Sequence, residues 1–128
     1  MLPFPVSLRP GAPPYQQITF AVRRAIAKGL LKPGDPFPSV RQLSRELKIN
    51  PNTAQKAVSE LTTRGFLEVH TGRGTFVCRP RTPSHDQIAE TLQPQLEQLV
   101  VMARELDLDL SEVKGLLAIF WQSFQEEP

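Results

Sequence analysis

The stretch INPNTAQKAVSEL, residues 49–61, gathers Asn50, Asn52, Thr53, Gln55 and Lys56 at the opening of an otherwise amphipathic segment. Ala54, Ala57, Val58 and Leu61 recur at i, i+3, i+4 and i+7, the spacing of one inward helix face. A helix that buries those four turns Asn52, Thr53, Gln55, Lys56 and Ser59 away from the core. The amides of Asn and Gln can pair bidentately with adenine in the major groove, Thr can touch a thymine methyl or a phosphate, and Lys adds charge for backbone or guanine. Free N–H groups at the helix start favour an anion in the same place. The chemistry on offer is recognition of a polyanion rather than bond-making. A plainer role also suits some of these residues: Asn50 as cap, Pro51 as first helical residue and Thr53 as a further capping side chain.

Other cations bear on the choice. Arg41 and Arg45 stand four apart on the preceding helical stretch, on one face, where they can straddle phosphates. Arg73 lies between Gly72 and Gly74, a turn whose missing Cβ atoms let backbone approach a duplex closely. An arginine at such a tip can enter a minor groove. Solvation explains any one arginine alone, but three spread over two elements of one motif point together. Charge is divided along the chain as well. Residues 1–81 carry 13 Lys/Arg against 4 Asp/Glu, a net of +9, whereas residues 82–128 carry 2 against 9, a net of −7. That division assigns the polyanion to the first part alone.

The elements that must hold these groups can be placed from periodicity and punctuation. FPVSLRPG, residues 4–11, alternates weakly and suggests a short edge strand before a Pro10-Gly11 turn. Pro13-Pro14 suits a first helical turn, and Ile18, Ala21, Val22, Ala25 and Ile26 make the apolar face of a helix that Gly29 ends. Ser39 is placed to cap a second helix with Val40, Leu43 and Leu47 inward. The third runs from Pro51 to about Arg64, with Gly65 closing it. The period then changes to that of strands: FLEV, the turn HTGRG and TFVC read as a hairpin. Three helices and a hairpin, in that order, make a winged helix-turn-helix.

Past the seam at CRPRTPSHD, Ile88, Leu92, Leu96, Leu99, Ala103 and Leu106 form a stripe that Pro94 should kink or offset. Asp109 with Glu112 resembles a capping box for a last helix carrying Val113, Leu116, Leu117, Phe120, Trp121 and Phe124. Two helices of this size cannot enclose such a face. It can pack on the winged domain, line a ligand pocket, or meet the same stripe of a second chain. The last is favoured, with Leu99, Ala103, Leu106, Val113, Leu116, Leu117, Phe120, Trp121 and Phe124 at the interface, because two-fold symmetry of the protein matches that of an operator. The expected class is therefore mainly α with a small β-hairpin. A winged helix-turn-helix DNA-binding domain occupies residues 1–80, a linker 81–86 and a two-helix dimerisation domain 87–128.

From Leu31 to Val77 the sequence resembles the DNA-binding domain of GntR-type bacterial transcription regulators. The resemblance rests on the Pro33-Gly34 turn, Pro38-Ser39 with Arg41, Leu43 and Leu47, the segment Asn50 to Thr53, Ala57, Leu61, Gly65, and Gly72-Arg73-Gly74-Thr75-Phe76-Val77. It implies DNA contacts at Arg41, from Asn50 to Lys56, and at Gly72-Arg73. Ala54 and Val58 stand where that family usually has larger side chains, and Pro51-Asn52 lacks an arginine common there, so the resemblance implies no particular half-site. The short two-helix tail is similar to that of the YtrA subfamily, which implies a dimerising segment and a repressor.

Catalysis finds little support. His70 and His85 are not at metal-ligand spacing, and a lone Cys78 excludes an internal disulfide and a cysteine-based zinc site. TGRGTF follows neither the phosphate-loop nor the dinucleotide pattern. No cofactor is expected. The N-terminus has no signal-peptide pattern and no stretch is apolar enough to span a bilayer, which suits a cytoplasmic protein without a membrane partner. The expected partners are double-stranded operator DNA and a second copy of the chain. A small-molecule effector between the last helices is a further reading for which no residue supplies the chemistry. The principal rival is a winged-helix module that binds protein instead of DNA; the charge division favours DNA.

Overall fold

Caps and proline set the helix bounds in this chain, as the computed structural model shows for the residues it describes, 1–78 and 83–125. Helix α1 (Pro14–Ala27) opens on its proline. Helix α2 (Val40–Leu47) begins behind Ser39, whose hydroxyl accepts from Gln42 N at 3.1 Å. Helix α3 (Pro51–Thr63) begins behind Asn50, whose side-chain oxygen accepts from Asn52 N at 2.8 Å. Lys48 takes the left-handed conformation between α2 and α3, at φ 55°, and Ile49 N closes the turn on Ser44 O at 3.0 Å. Both α1 and α3 end in paired bonds across the last turn, Gly29 N to Ile26 O with Leu30 N to Ala25 O, and Gly65 N to Thr62 O with Phe66 N to Leu61 O.

Strands β2 (Leu67–His70) and β3 (Gly74–Val77) form the expected hairpin, shifted by one residue at each strand. A third strand joins them. β1 (Pro36–Phe37) pairs antiparallel with β3, so the sheet runs β1-β3-β2. The fold is mainly helical with a small antiparallel sheet, a winged helix followed by two C-terminal helices.

The expected edge strand over residues 4–11 does not form. Pro5 and Pro10 remove backbone donors from that segment, which weakens any ladder. A side chain substitutes for the missing strand neighbour. Gln17 Oε1 accepts from Arg9 N at 2.8 Å, while Gln17 Nε2 donates to Arg9 O at 2.7 Å and Ala12 O at 2.9 Å. One amide thus offers the acceptor and donor that a neighbouring peptide would. The arm so fastened delivers Phe4, only 4% exposed, to a stacked contact with Phe37 at 5.7 Å between ring centroids.

Around α3 the core closes. Ala54, Ala57, Val58 and Leu61 are buried as the spacing required, and α3 packs against α1, α2 and β2. Ile18, Val22 and Ala25 of α1, Leu43 of α2, Leu31, Phe37, Leu67 and Val77 complete the cluster. Thr19 is buried too, which the apolar pattern did not indicate; its hydroxyl donates to Gln16 O at 2.9 Å and so carries no orphan group inward.

The chain divides into two compact units, and the second comprises α4 (His85–Glu105) and α5 (Leu110–Ser123). Ser84 and Gln87 form a capping box at the start of α4, so His85 and Asp86, expected in a linker over 81–86, belong to the helix; residues 81 and 82 lie outside the described residues. Asp109 and Glu112 make the capping box expected for α5. Helix α4 continues through Pro94 without a break. The unit has little interior: α4 buries Ala103 alone and α5 buries no residue. No helix among the described residues is long and apolar enough to cross a membrane.

Phe4→Ala is expected to lower unfolding free energy by about 3 kcal/mol, the usual scale for deleting a buried ring. Urea unfolding followed by circular dichroism measures it. A loss within about 0.5 kcal/mol, the range of surface substitutions, would place the N-terminal arm outside the core.

Candidate nucleic-acid interface

The burial of α3 on one side decides what its other side presents. Asn52, Gln55, Lys56, Ser59 and Thr63 are exposed, and they recur at helical spacing opposite the buried stripe. Thr53 is half-buried between the two faces. Several of these groups are engaged within the chain. Gln55 Nε2 donates to Ser59 Oγ at 3.0 Å, one turn along. Asn50 Oδ1 is committed to its cap, which leaves its NH₂ group outward. Lys56 Nζ stands 4.0 Å from the centroid of the Tyr15 ring, at the first turn of α1. That cation–π pair joins residues far apart in sequence, and no local pattern signals it. Ser59 and Thr63 extend the exposed face beyond the residues singled out from sequence.

Helix α2 presents Arg41 and Arg45, both exposed, and the cap at its start uses Ser39. At the hairpin tip Arg73 is exposed, and its backbone N–H closes the turn on His70 O at 2.9 Å. Gly72 and Gly74 flank it at φ 79° and 112°, a region that L side chains rarely enter. A Cβ built at either would meet nothing within 4 Å, so the turn conformation, not crowding inside the chain, is what requires glycine. Among the described residues, the guanidinium groups of Arg41, Arg45 and Arg73 make no salt bridge or hydrogen bond.

The acids of this basic unit are occupied elsewhere. Asp35 Oδ2 accepts from Lys32 N at 2.8 Å. Glu46 pairs with the Met1 amine and accepts from Gln42 Nε2, and these contacts hold its carboxyl below the usual carboxylate range. Glu68 Oε1 lies 2.9 Å from His70 Nε2, and the His70 ring meets Phe76 edge-on at 5.1 Å. Glu60 acts on Arg23, whose guanidinium is partly desolvated and lies 5.6 Å from the Phe66 ring. Arg64 lies at 6.0 Å from the same ring. The exposed wing histidine is thus engaged within the hairpin, and Arg23 and Arg64 pack near the Phe66 ring.

The surroundings of Cys78 disfavour its thiolate. Its Sγ donates to Gly65 O at 3.0 Å, burial raises its pKa above the ordinary thiol value, and Glu68 adds to that rise. Among the described residues no group of three His, Cys, Asp or Glu could hold a metal ion.

On the second unit the aromatic stripe lies open. Trp121 is 70% and Phe120 65% exposed, and Leu99, Leu106, Leu116 and Leu117 are exposed as well. Val113 and Phe124 are half-buried. Ala103 differs from the rest of the expected interface set: at 7% exposed it is already covered within its own chain.

Three comparisons bear on this arrangement. The family model described as bacterial regulatory proteins, gntR family, matches residues 14–77. The HTH-type transcriptional repressor YtrA of Bacillus subtilis is 35% identical over 106 residues, 82% of each chain. Among solved structures, a transcriptional antiterminator from Listeria monocytogenes aligns with a TM-score of 0.79 at 26% identity, covering 94% of this chain and 91% of that one. The DNA-binding domain of AraR in complex with an operator aligns at 0.50 with 27% identity, over 58% of this chain and 89% of that one.

Proposed function

The chain belongs to the gntR family of bacterial regulatory proteins, and from that premise we propose that it is a homodimeric transcription repressor that binds a palindromic operator in the cytoplasm. The family and the relative named above are transcription regulators, not enzymes. The observation that carries the reading is the polar face of α3, exposed opposite a buried stripe that fixes its orientation. Arg41, Arg45 and Arg73, exposed and with no salt bridge among the described residues, supply the charge that attracts a duplex. Phosphate contacts from Ser39, Arg41, Arg45, Lys56 and the Gly72-Arg73 tip position the protein, while Asn50, Asn52, Thr53 and Gln55 read base edges.

Dimerisation follows from what the second unit lacks. A pair of helices with one buried residue between them cannot offset its own ordering entropy in water. An apolar surface of this extent is a partner-binding surface. A second copy covers it with like surface and, by two-fold symmetry, sets two α3 helices on two half-sites. The net charge of −7 on residues 82–128 keeps this part off the polyanion. On this reading residues 1–80 meet DNA, and the unit of α4 and α5 self-associates.

Selection of bound duplexes from a random pool tests the reading as a whole: enriched sequences with two-fold symmetry support it, and the absence of any enrichment points to a protein-binding module. Within that frame, Arg41→Ala should weaken binding to every duplex and reduce the slope of log affinity against log salt by about 0.9. An unchanged slope would remove Arg41 from the phosphate contacts. Gln55→Ala is expected to relax discrimination at one operator position by about 1–3 kcal/mol; equal discrimination before and after rules it out as a reader. Trp121→Ala should raise the dimer dissociation constant by a factor of ten or more, the scale of a buried aromatic anchor, in sedimentation equilibrium. An unaltered dimer would mean that Trp121 faces solvent in the assembly.

A further inference from the structure

Lys56 has the chemistry of a phosphate contact and the weakness of one: a flexible four-carbon stem whose freedom is lost on binding. In this chain the stem does not wander over bare helix surface. Its ammonium rests 4.0 Å from the centroid of Tyr15, and Tyr15 is itself half-buried against the core cluster, on a helix that packs directly on α3. The ring is therefore a fixed platform and the lysine its mobile guest. Gln16 Nε2 donates to the Tyr15 hydroxyl at 3.2 Å, which adds a polar contact at the outer edge of the ring.

We infer that Tyr15 is a positioning residue for DNA binding: its ring holds the Lys56 ammonium in place by a cation–π contact, ready for a backbone phosphate. The inference rests on the DNA-binding reading of the same surface. A carboxylate partner would have served less well, because it would neutralise the ammonium and have to be displaced by phosphate. An aromatic face attracts the cation without consuming its charge. An ammonium has three N–H donors, and those turned from the ring remain available to an anion. Lys56 can thus keep its contact with Tyr15 while it meets DNA, and the side chain is ordered before binding instead of by it. The geometry also makes α1 part of the recognition surface, although α1 brings no cation of its own to this contact.

The test is a double-mutant cycle on the full chain, read by fluorescence anisotropy with a labelled mixed-sequence duplex of about 30 base pairs at low salt, where charge dominates affinity and no operator need be known. Tyr15→Leu, which keeps apolar bulk, should weaken binding about two- to fivefold, the size of an exposed cation–π contact. Tyr15→Phe, which keeps the ring, should bind like the original chain. In a Lys56→Met background Tyr15→Leu should have no further effect. Nuclear magnetic resonance of the free protein supplies a readout that a purely structural tyrosine would not move. The Lys56 ε-methylene protons should be shifted upfield by the ring, retain that shift in Tyr15→Phe and lose it in Tyr15→Leu. Equal weakening by Tyr15→Leu in both backgrounds, or unshifted ε-protons in the original chain, overturns the assignment. Failure of the original chain itself to bind the duplex is a separate result, visible without any variant: it defeats the DNA-binding reading and the role of Tyr15 with it.

Discussion

The burial of one face of α3 is the constraint on which the rest of the first unit depends. Ala54 and Ala57 are fully buried, and their small side chains let α1 and α2 approach the helix closely. Val58 and Leu61 continue the same stripe. Rotation of α3 by a single position, about 100°, would carry Gln55 or Lys56 toward the core, and a buried unpaired ammonium is far costlier than any contact such a turn could gain. Core packing and surface chemistry therefore enforce one another. The helix cannot be packed otherwise, so Asn52, Gln55, Lys56, Ser59 and Thr63 cannot be presented otherwise.

The two units solve the problem of a small core differently. The first recruits every available piece: the N-terminal arm is pinned by the Gln17 amide, Phe4 stacks on Phe37, and a two-residue strand adds to the hairpin. It closes a continuous cluster from Phe4 to Val77. The second has well-made helix ends, a capping box on each helix, and almost no interior. Caps settle where helices start but contribute only about 1 kcal/mol each. Such a unit is specified as secondary structure and left incomplete as tertiary structure, which is the condition expected of a part that finishes folding against a partner.

What could be read from the sequence divides along the same physical line. Elements with local signals were legible: the caps at Ser39, Asn50 and Asp109, the glycine stops at Gly29 and Gly65, and the inward stripe of α3. Features made by distant pairing were not. Pro36-Phe37 has no alternation to mark it, and it becomes a strand only because β3 lies alongside. The weak alternation over residues 4–11 suggested a strand where proline had removed the donors, and the partner proved to be a helix side chain. Lys56 looked like a free cation because its partner Tyr15 lies far back in the chain. Chemistry at the surface was readable as residue types; the contacts each makes at rest were not.

Those resting contacts order the events of binding on the proposed reading. The guanidinium groups of Arg41, Arg45 and Arg73 make no salt bridge or hydrogen bond among the described residues, so they can meet phosphate with no such bond to break first. The amide of Gln55, in contrast, already donates to Ser59, and the oxygen of Asn50 already accepts from Asn52 N. A base edge gains Gln55 only if it replaces that bond with at least as good a set. A matching edge does so bidentately, and a mismatched one leaves a donor or acceptor unsatisfied, at a penalty of about 1–3 kcal/mol. Unencumbered charge thus provides attraction to any duplex, while pre-engaged amides make closure conditional on sequence. On that reading, attraction and discrimination divide by which polar side chains already have partners in the free chain.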